Sequence, residues 1–175
     1  MMELFEAIAK RHSYRGEFQN QPIPREDLRK IVEAGIMAPS GCNHQTTFFI
    51  IVDEPDLLKN VADLIGKPVC YSAKAMIVCV ADPGKEYRDI SFFREDCAAA
   101  VENMLLAVTA MGYATVWLDG NIRFGVDEQI GALLGVPKNY SVRIVLPLGV
   151  PVTQGTPNKK LSFEKRAWFN GYEKE

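Results

Sequence analysis

The chain has 175 residues, of which 47% are hydrophobic and 24% charged, and its formal net charge is −2. This length favours one domain over residues 1–175, with a core large enough for a single site. The balanced charge argues against a nucleic-acid partner, which usually requires a strong positive excess. The longest apolar runs, residues 48–52 and 75–81, are far shorter than the ~18 residues of a membrane-spanning helix, so no membrane partner is expected.

Neither the cysteines nor the amino terminus indicates a special environment. Cys42, Cys70, Cys79 and Cys97 show no CxxC spacing and no pairing with a nearby histidine, so no metal site is expected. Cys79 and Cys97 lie in apolar surroundings and are interpreted as core residues. The first residues are acidic and lack the apolar core of a signal peptide, which predicts a cytoplasmic protein.

The first half of the chain predicts amphipathic helices and two strands. Leu4, Phe5 and Ile8 have helical spacing within residues 2–10. A second helix is predicted over residues 25–37, after Pro24 and before Pro39. A strand over 47–53, a helix over 55–65 and a strand over 75–81 follow, and the last is apolar enough to be buried on both faces.

The second half centres on a long apolar helix over residues 96–111, which is predicted to be buried in the core or against another subunit. Before it, residues 85–93 are expected to run over the surface. After it, a strand over 114–118, a helix over 126–134 and a strand over 141–148 are predicted. The segment 151–175 carries four aromatic residues, and we expect it to pack on a partner subunit: Phe163, Trp168, Phe169 and Tyr172.

A basic segment follows the first helix. In an extended conformation Arg11, Ser13 and Arg15 would face one way, with His12 and Tyr14 facing the other. Arginine offers phosphate a permanently charged fork, and serine adds a hydroxyl donor. The alternative is a solvated basic end that complements the dipole of the first helix.

A second polar segment, residues 38–45, connects the second helix to the first strand and is called the 38–45 turn below. It contains Pro39, Ser40, Cys42, Asn43 and His44. Serine and asparagine are also common turn residues that bond their own backbone. Cys42 with His44 or with His12 would permit a thiol nucleophile, but neither spacing matches a local signature of that chemistry. No phosphate-binding loop or dinucleotide fingerprint occurs.

Taken together and in order, these segments resemble the nitroreductase family of FMN-dependent oxidoreductases. The resemblance also uses Asn103 in the apolar helix, residues 112–120, residues 148–151 and the late Lys159-Lys160 pair, so it covers nearly the whole chain. Three features depart from the family pattern: Gln45-Thr46-Thr47 replaces Gln-Pro-Trp, Gly112-Tyr113-Ala114 replaces Gly-Leu-Gly, and the usual lid insertion is reduced to residues 85–93.

The resemblance implies an α+β fold with a mixed central sheet flanked by helices, in an intertwined homodimer with FMN at the subunit interface. It implies that Arg11, His12, Ser13 and Arg15 hold FMN, with Lys159 and Lys160 completing the phosphate site. Pro39, Ser40 and Asn43 would reach the flavin from the partner chain. Leu118, Asp119 and Gly120 would lie along the flavin edge, with N–H groups near N5.

The function expected from this resemblance is electron transfer from NAD(P)H through FMN to a small electron-poor acceptor, such as a nitroaromatic or a quinone, by a ping-pong mechanism. FMN does the redox chemistry, so no protein nucleophile is required and no catalytic residue is assigned. A flavin carrier or redox sensor without turnover is the alternative on the same fold. A thiol hydrolase that uses Cys42 is a third hypothesis.

Overall fold

The computed structural model describes residues 2–172, in which strands and helices alternate along the chain. The helices are α1 (Leu4–Lys10), α2 (Arg25–Ile36), α3 (Pro55–Ile65), α4 (Pro68–Tyr71), α5 (Phe93–Ala110) and α6 (Asp127–Leu133). The strands are β1 (Thr47–Val52), β2 (Ala75–Ala81), β3 (Glu86–Tyr87), β4 (Ile90–Ser91), β5 (Ala114–Thr115) and β6 (Ser141–Gly149). No described helix is both long enough and apolar enough to cross a membrane.

The central sheet has four strands in the order β1-β2-β6-β5. The α+β class and the sheet flanked by helices are confirmed. The sheet was predicted to be mixed, whereas its described strand pairs are all antiparallel. Every residue of β2 is buried, as its continuous apolar run predicts for a strand covered on both faces.

Two hydrophobic cores form because successive side chains of β2 point to opposite faces of the sheet. Met76, Val78 and Val80 pack with α3, α4 and α6 on one face. Ile77 and Cys79 pack with α2 and α5 on the other face, where Cys97 is also buried. The prediction that Cys79 and Cys97 are core residues is confirmed.

The second face holds the helix pair that carries the candidate site. Gly35 of α2 allows Met104 of α5 to approach closely, since a Cβ at Gly35 would lie 2.9 Å from the Met104 side chain. The Asn103 side-chain amide donates to the Ala34 carbonyl at 3.1 Å. The α2 and α5 backbones are therefore fixed to each other next to the 38–45 turn.

Several boundaries differ from those predicted. The strand expected over 114–118 is only β5, followed by a single bridge between Leu118 and Val145. Helix α5 begins at Phe93, three residues before Asp96, and α4 was missed because Pro68 initiates a very short helix. The surface segment 85–93 contains a β3–β4 hairpin, in which Arg88 and Asp89 adopt positive φ angles.

The late aromatic residues pack mainly on one another. The Phe163 and Phe169 rings lie 5.8 Å apart, and the Trp168 and Tyr172 rings lie 4.3 Å apart. Phe163, Phe169 and Tyr172 nevertheless remain exposed, while Trp168 is half-buried. The expected contact of this segment with a partner subunit stays a prediction.

Candidate functional site

The basic segment leaves α1 at Arg11 and runs beside β5. Tyr14 is buried, its N–H donates to the Thr115 carbonyl at 2.8 Å, and its hydroxyl donates to the Glu17 carbonyl at 2.6 Å. Ser13 and Arg15, on either side of Tyr14, are exposed. The tyrosine thus anchors the segment, and the neighbouring hydroxyl and guanidinium remain at the surface.

Arg11 and His12 are held by α5 and by the carboxyl-terminal part of the chain. The Arg11 Nε lies 3.5 Å from the Glu102 carboxylate, and 23% of the arginine side chain is exposed. The His12 Nδ1 lies 3.0 Å from the Lys10 carbonyl oxygen, and the buried Nε2 has no hydrogen-bond partner among the described residues. A Cβ at Gly155 would collide with Nε2, so the carboxyl-terminal segment passes directly over this ring.

Lys159 and Lys160 follow Gly155 on the same segment, and both are exposed. Within residues 2–172, neither lysine forms an ion pair with a carboxylate, and neither does Arg15. Three cations are therefore free to bind an anion. Their segments meet where Gly155 contacts His12.

Leu118, Asp119 and Gly120 lie beyond β5, three to five residues after the Thr115 carbonyl that holds Tyr14. Leu118 exchanges two backbone hydrogen bonds with Val145, at 3.1 and 2.9 Å. The backbone N–H groups of Asp119 and Gly120 donate to no other described residue. The Asp119 carboxylate pairs with Arg123 at 2.7 Å, which leaves the two N–H groups as the donors at this position.

The 38–45 turn has a tightly folded backbone. Its middle is a single 3-10 turn over Gly41–Asn43, and Cys42, Asn43 and Gln45 have φ angles of 50°, 54° and 51°. The Gln45 N–H donates to the Ser40 Oγ at 3.0 Å, so the Ser40 hydroxyl hydrogen is still available to donate. Pro39 and Asn43 are exposed, and Ser40 is half-buried.

Asp96, which was predicted only as the start of the central helix, holds this turn. Its carboxylate accepts hydrogen bonds from the Gly41 N–H at 2.8 Å and from the Thr46 hydroxyl at 2.7 Å. Nothing in the sequence signalled this role, because an acidic residue in the first turn of a helix is common. Thr46 gave no signal either, because a threonine beside a strand is unremarkable.

Cys42 is exposed, and no hydrogen bond joins its thiol to either histidine of the described chain. The His44 carbonyl accepts from Lys85 Nζ at 2.9 Å, and His12 contacts Gly155. The thiol therefore lacks the adjacent base that a cysteine nucleophile requires.

The sequence-predicted residues fall on two parts of the fold. The segment with Arg11, His12, Ser13 and Arg15 is joined to β5 by the hydrogen bond from the Tyr14 N–H to the Thr115 carbonyl and meets the carboxyl-terminal segment where Gly155 contacts His12. Pro39, Ser40 and Asn43 lie on the other part, and no hydrogen bond or ion pair within residues 2–172 joins the two parts. A small depression of about 50 Å³ lies beside the turn, lined by Pro39, Ser40 and Asp96 among others.

Comparison with known proteins links this arrangement to one family. The model of the Nitroreductase family matches residues 8–77 and 63–150. A relative from Archaeoglobus fulgidus, provisionally named an NADH dehydrogenase/NAD(P)H nitroreductase, is 35% identical over 86% of this chain and 87% of its own length.

Solved structures have the same fold. A nitroreductase family protein from Clostridium novyi is 30% identical, with a TM-score of 0.76 and 86% of each chain covered. An FMN-dependent nitroreductase from Clostridium difficile is 26% identical, with a TM-score of 0.82, 95% of this chain and 98% of that chain covered.

Proposed function

This chain belongs to the nitroreductase family, and from that premise we propose that it is an FMN-dependent oxidoreductase that uses NAD(P)H to reduce a small electron-poor acceptor. Nitroaromatics and quinones are the acceptor classes we expect. When bound, FMN would supply the redox chemistry between NAD(P)H and the acceptor, in the ping-pong order that we propose.

The observation that carries this proposal is the group of unpaired donors around the basic segment. A phosphate dianion needs several cations and hydrogen-bond donors, and Arg15, Lys159 and Lys160 are exposed without a carboxylate partner in the described chain. Ser13 adds an exposed hydroxyl. The residues present thus fit the phosphate end of FMN.

The other end of FMN is also matched by available donors. The free N–H groups of Asp119 and Gly120 can donate to the polar edge of an isoalloxazine ring. These N–H donors would stabilise negative charge on a bound flavin, which is the electrostatic contribution that the protein makes to the redox chemistry of the cofactor. Neither the phosphate nor the ring end requires a residue outside the predicted set.

We further propose that the site is completed by a second copy of the chain, with the 38–45 turn of one subunit reaching the basic segment of the other. Two observations support this. The turn and the basic segment share no hydrogen bond or ion pair within one described chain, and α1 and the end of α2 expose large apolar side chains. Ser40 and Asn43 would then donate to the flavin of the partner.

The test is to purify the protein, record its visible spectrum, and titrate the colourless fraction with FMN. We expect a yellow protein or stoichiometric reconstitution, and parallel lines in double-reciprocal plots when NAD(P)H and a quinone are varied together. A protein that binds no FMN would contradict the proposal. Intersecting lines would contradict the ping-pong order while leaving the cofactor assignment standing.

A further inference from the structure

We infer that Asp96 and Thr46 are positioning residues, which hold the 38–45 turn in the conformation that binds FMN. The inference rests on the proposed function, because it assigns a role to residues that do not themselves reach the cofactor. Asp96 is 4% exposed and Thr46 is 1% exposed.

Both oxygens of the buried carboxylate are used. Oδ1 accepts from the Gly41 N–H at 2.8 Å, and Oδ2 accepts from the Thr46 hydroxyl at 2.7 Å. A carboxylate removed from water is tolerated only when such donors replace the lost hydration. The location of Asp96 near the amino-terminal end of α5 adds a favourable interaction with the helix dipole.

Thr46 and Asp96 are held by different layers of the fold. The Thr46 carbonyl accepts from the Asp82 N–H at 2.8 Å, which attaches this residue to the end of β2. The Asp96 N–H donates to the Phe92 carbonyl at 2.9 Å as part of α5. The hydrogen bonds of Asp96 therefore join the turn to the sheet and to the central helix at once.

The turn needs this support because its backbone is unfavourable. Cys42, Asn43 and Gln45 are non-glycine residues in the left-handed region, which is sparsely populated and persists only where surrounding contacts enforce it. Gly41 is also pressed against Phe92, since an added Cβ would lie 2.6 Å from the phenylalanine Cβ. Without the carboxylate, the turn is free to relax.

A relaxed turn would weaken FMN binding without removing any direct contact. Ser40 and Asn43 lie on either side of Gly41, so the orientation of their side chains depends on the backbone that Asp96 holds. The cost of ordering the turn would then be subtracted from the binding free energy of the cofactor. A purely structural role would instead lower stability and leave FMN affinity unchanged.

The first measurement is hydrogen exchange in the protein without added FMN. Asp96→Asn and Thr46→Val should speed exchange of peptides covering the turn by about tenfold, because a hydrogen bond to a charged acceptor is lost or disturbed. Peptides from the middle of α5 should exchange as in the wild type. Thr46→Ser, which keeps the hydroxyl, should retain the protection of the wild type. Unchanged exchange in both Asp96→Asn and Thr46→Val would contradict the positioning role.

The second measurement is FMN affinity, from quenching of flavin fluorescence. Asp96→Asn and Thr46→Val should each weaken binding by about tenfold, whereas Thr46→Ser should stay within about twofold. Thr109→Val is the matched control, because Thr109 also donates a hydroxyl hydrogen bond on α5, to the Leu105 carbonyl at 2.9 Å, away from the turn.

The outcomes separate the two proposals. Variants with faster exchange and unchanged FMN affinity would overturn the positioning role while leaving the flavoprotein assignment intact. A wild-type protein that binds no FMN would instead overturn the proposed function, and the positioning role with it. Should Asp96→Asn fail to fold, Thr46→Val carries the test, since it keeps the shape of the side chain and removes only the hydroxyl.

Discussion

The four cations proposed to bind the phosphate differ in how they are held before any anion binds. Arg11 is oriented by Glu102 at 3.5 Å, whereas Arg15, Lys159 and Lys160 are exposed and unpaired among the described residues. A guanidinium that is already oriented loses less side-chain entropy on binding. Arg11 should therefore contribute more to phosphate binding than either exposed lysine.

Arg11→Ala and Lys160→Ala should each weaken FMN retention while leaving the fold intact, because each removes a charge-assisted hydrogen bond worth roughly 1.5–3 kcal/mol. Equilibrium dialysis of FMN measures the effect. Arg25→Ala is the matched control, since its guanidinium pairs with Asp53 at 2.6 Å on another part of the surface. Unchanged FMN affinity in both variants would refute the phosphate-site assignment.

Cys42→Ala should leave both FMN binding and turnover within about twofold of the wild type, because the thiol has no adjacent base to activate it. Alanine has a Cβ as cysteine does, so both residues meet the same steric restriction at the positive φ angle of position 42. Steady-state rates with NAD(P)H and a quinone check this. Complete loss of activity with intact flavin binding would favour the thiol hypothesis instead.

At the scale of elements, α2 and α5 form the rigid support beneath the 38–45 turn. Asn103 ties α5 to α2, and beyond the end of α5 the Tyr113 hydroxyl donates to Asp27 Oδ2 at 2.8 Å. Burial, reinforced by the Asp27 carboxylate, raises the pKa of Tyr113 to about 12. The protonated tyrosine thus joins the start of α2 to the segment that follows α5.

Tyr113→Phe should alter the alkaline dependence of stability. Because the folded-state pKa of Tyr113 is raised, its contribution to the free energy of unfolding is present below about pH 10 and is lost as pH rises towards 12. Urea unfolding at several alkaline pH values should therefore show that the free energy of unfolding falls more steeply with pH in the wild type than in Tyr113→Phe. Equal slopes would contradict the Tyr113–Asp27 link.

Sequence periodicity predicted most of these elements because they bury continuous apolar faces. Strand β2 and helices α2 and α3 needed only the spacing of their apolar residues. The β3–β4 hairpin and the shortened β5 were missed because their shape depends on positive φ angles and on the register with β6. Tertiary contacts, rather than local preference, set those boundaries.

Sequence motifs assigned the residues that would contact FMN, and those assignments stay predictions, whereas no motif indicated the residues that support them. Arg11, Ser13, Ser40 and Asn43 were recognised from their motifs. The hydrogen bonds of Asp96 to Gly41 and Thr46 span 55 and 50 positions of the chain. No local pattern encodes such a long-range contact, so the supporting residues emerged only from the structure.

At the scale of the whole molecule, the apolar surface points to self-association. Phe5 of α1 is 75% exposed and Met37 after α2 is 80% exposed, while Ala7 on the opposite side of α1 is buried. Exposed apolar patches of this kind commonly mark interfaces between subunits. We expect a homodimer in which α1 and the end of α2 are covered.

Phe5→Glu should shift the protein towards a monomer and weaken FMN binding together, because both depend on the same second copy. Sedimentation velocity and fluorescence titration give the two readings. Tyr71→Glu places the same charge on an exposed aromatic of α4 and should change neither. A monomeric Phe5→Glu protein with intact FMN affinity would contradict the shared site.

The central claim is that this chain passes electrons from NAD(P)H to an acceptor through bound FMN, and anaerobic stopped-flow spectroscopy of the FMN-loaded protein tests it most directly. The account predicts that reduced nicotinamide bleaches the flavin absorbance and that a quinone or nitroaromatic, mixed afterwards, restores it. Flavin that stays oxidised with both NADH and NADPH would contradict the account and favour a flavin carrier or sensor without turnover.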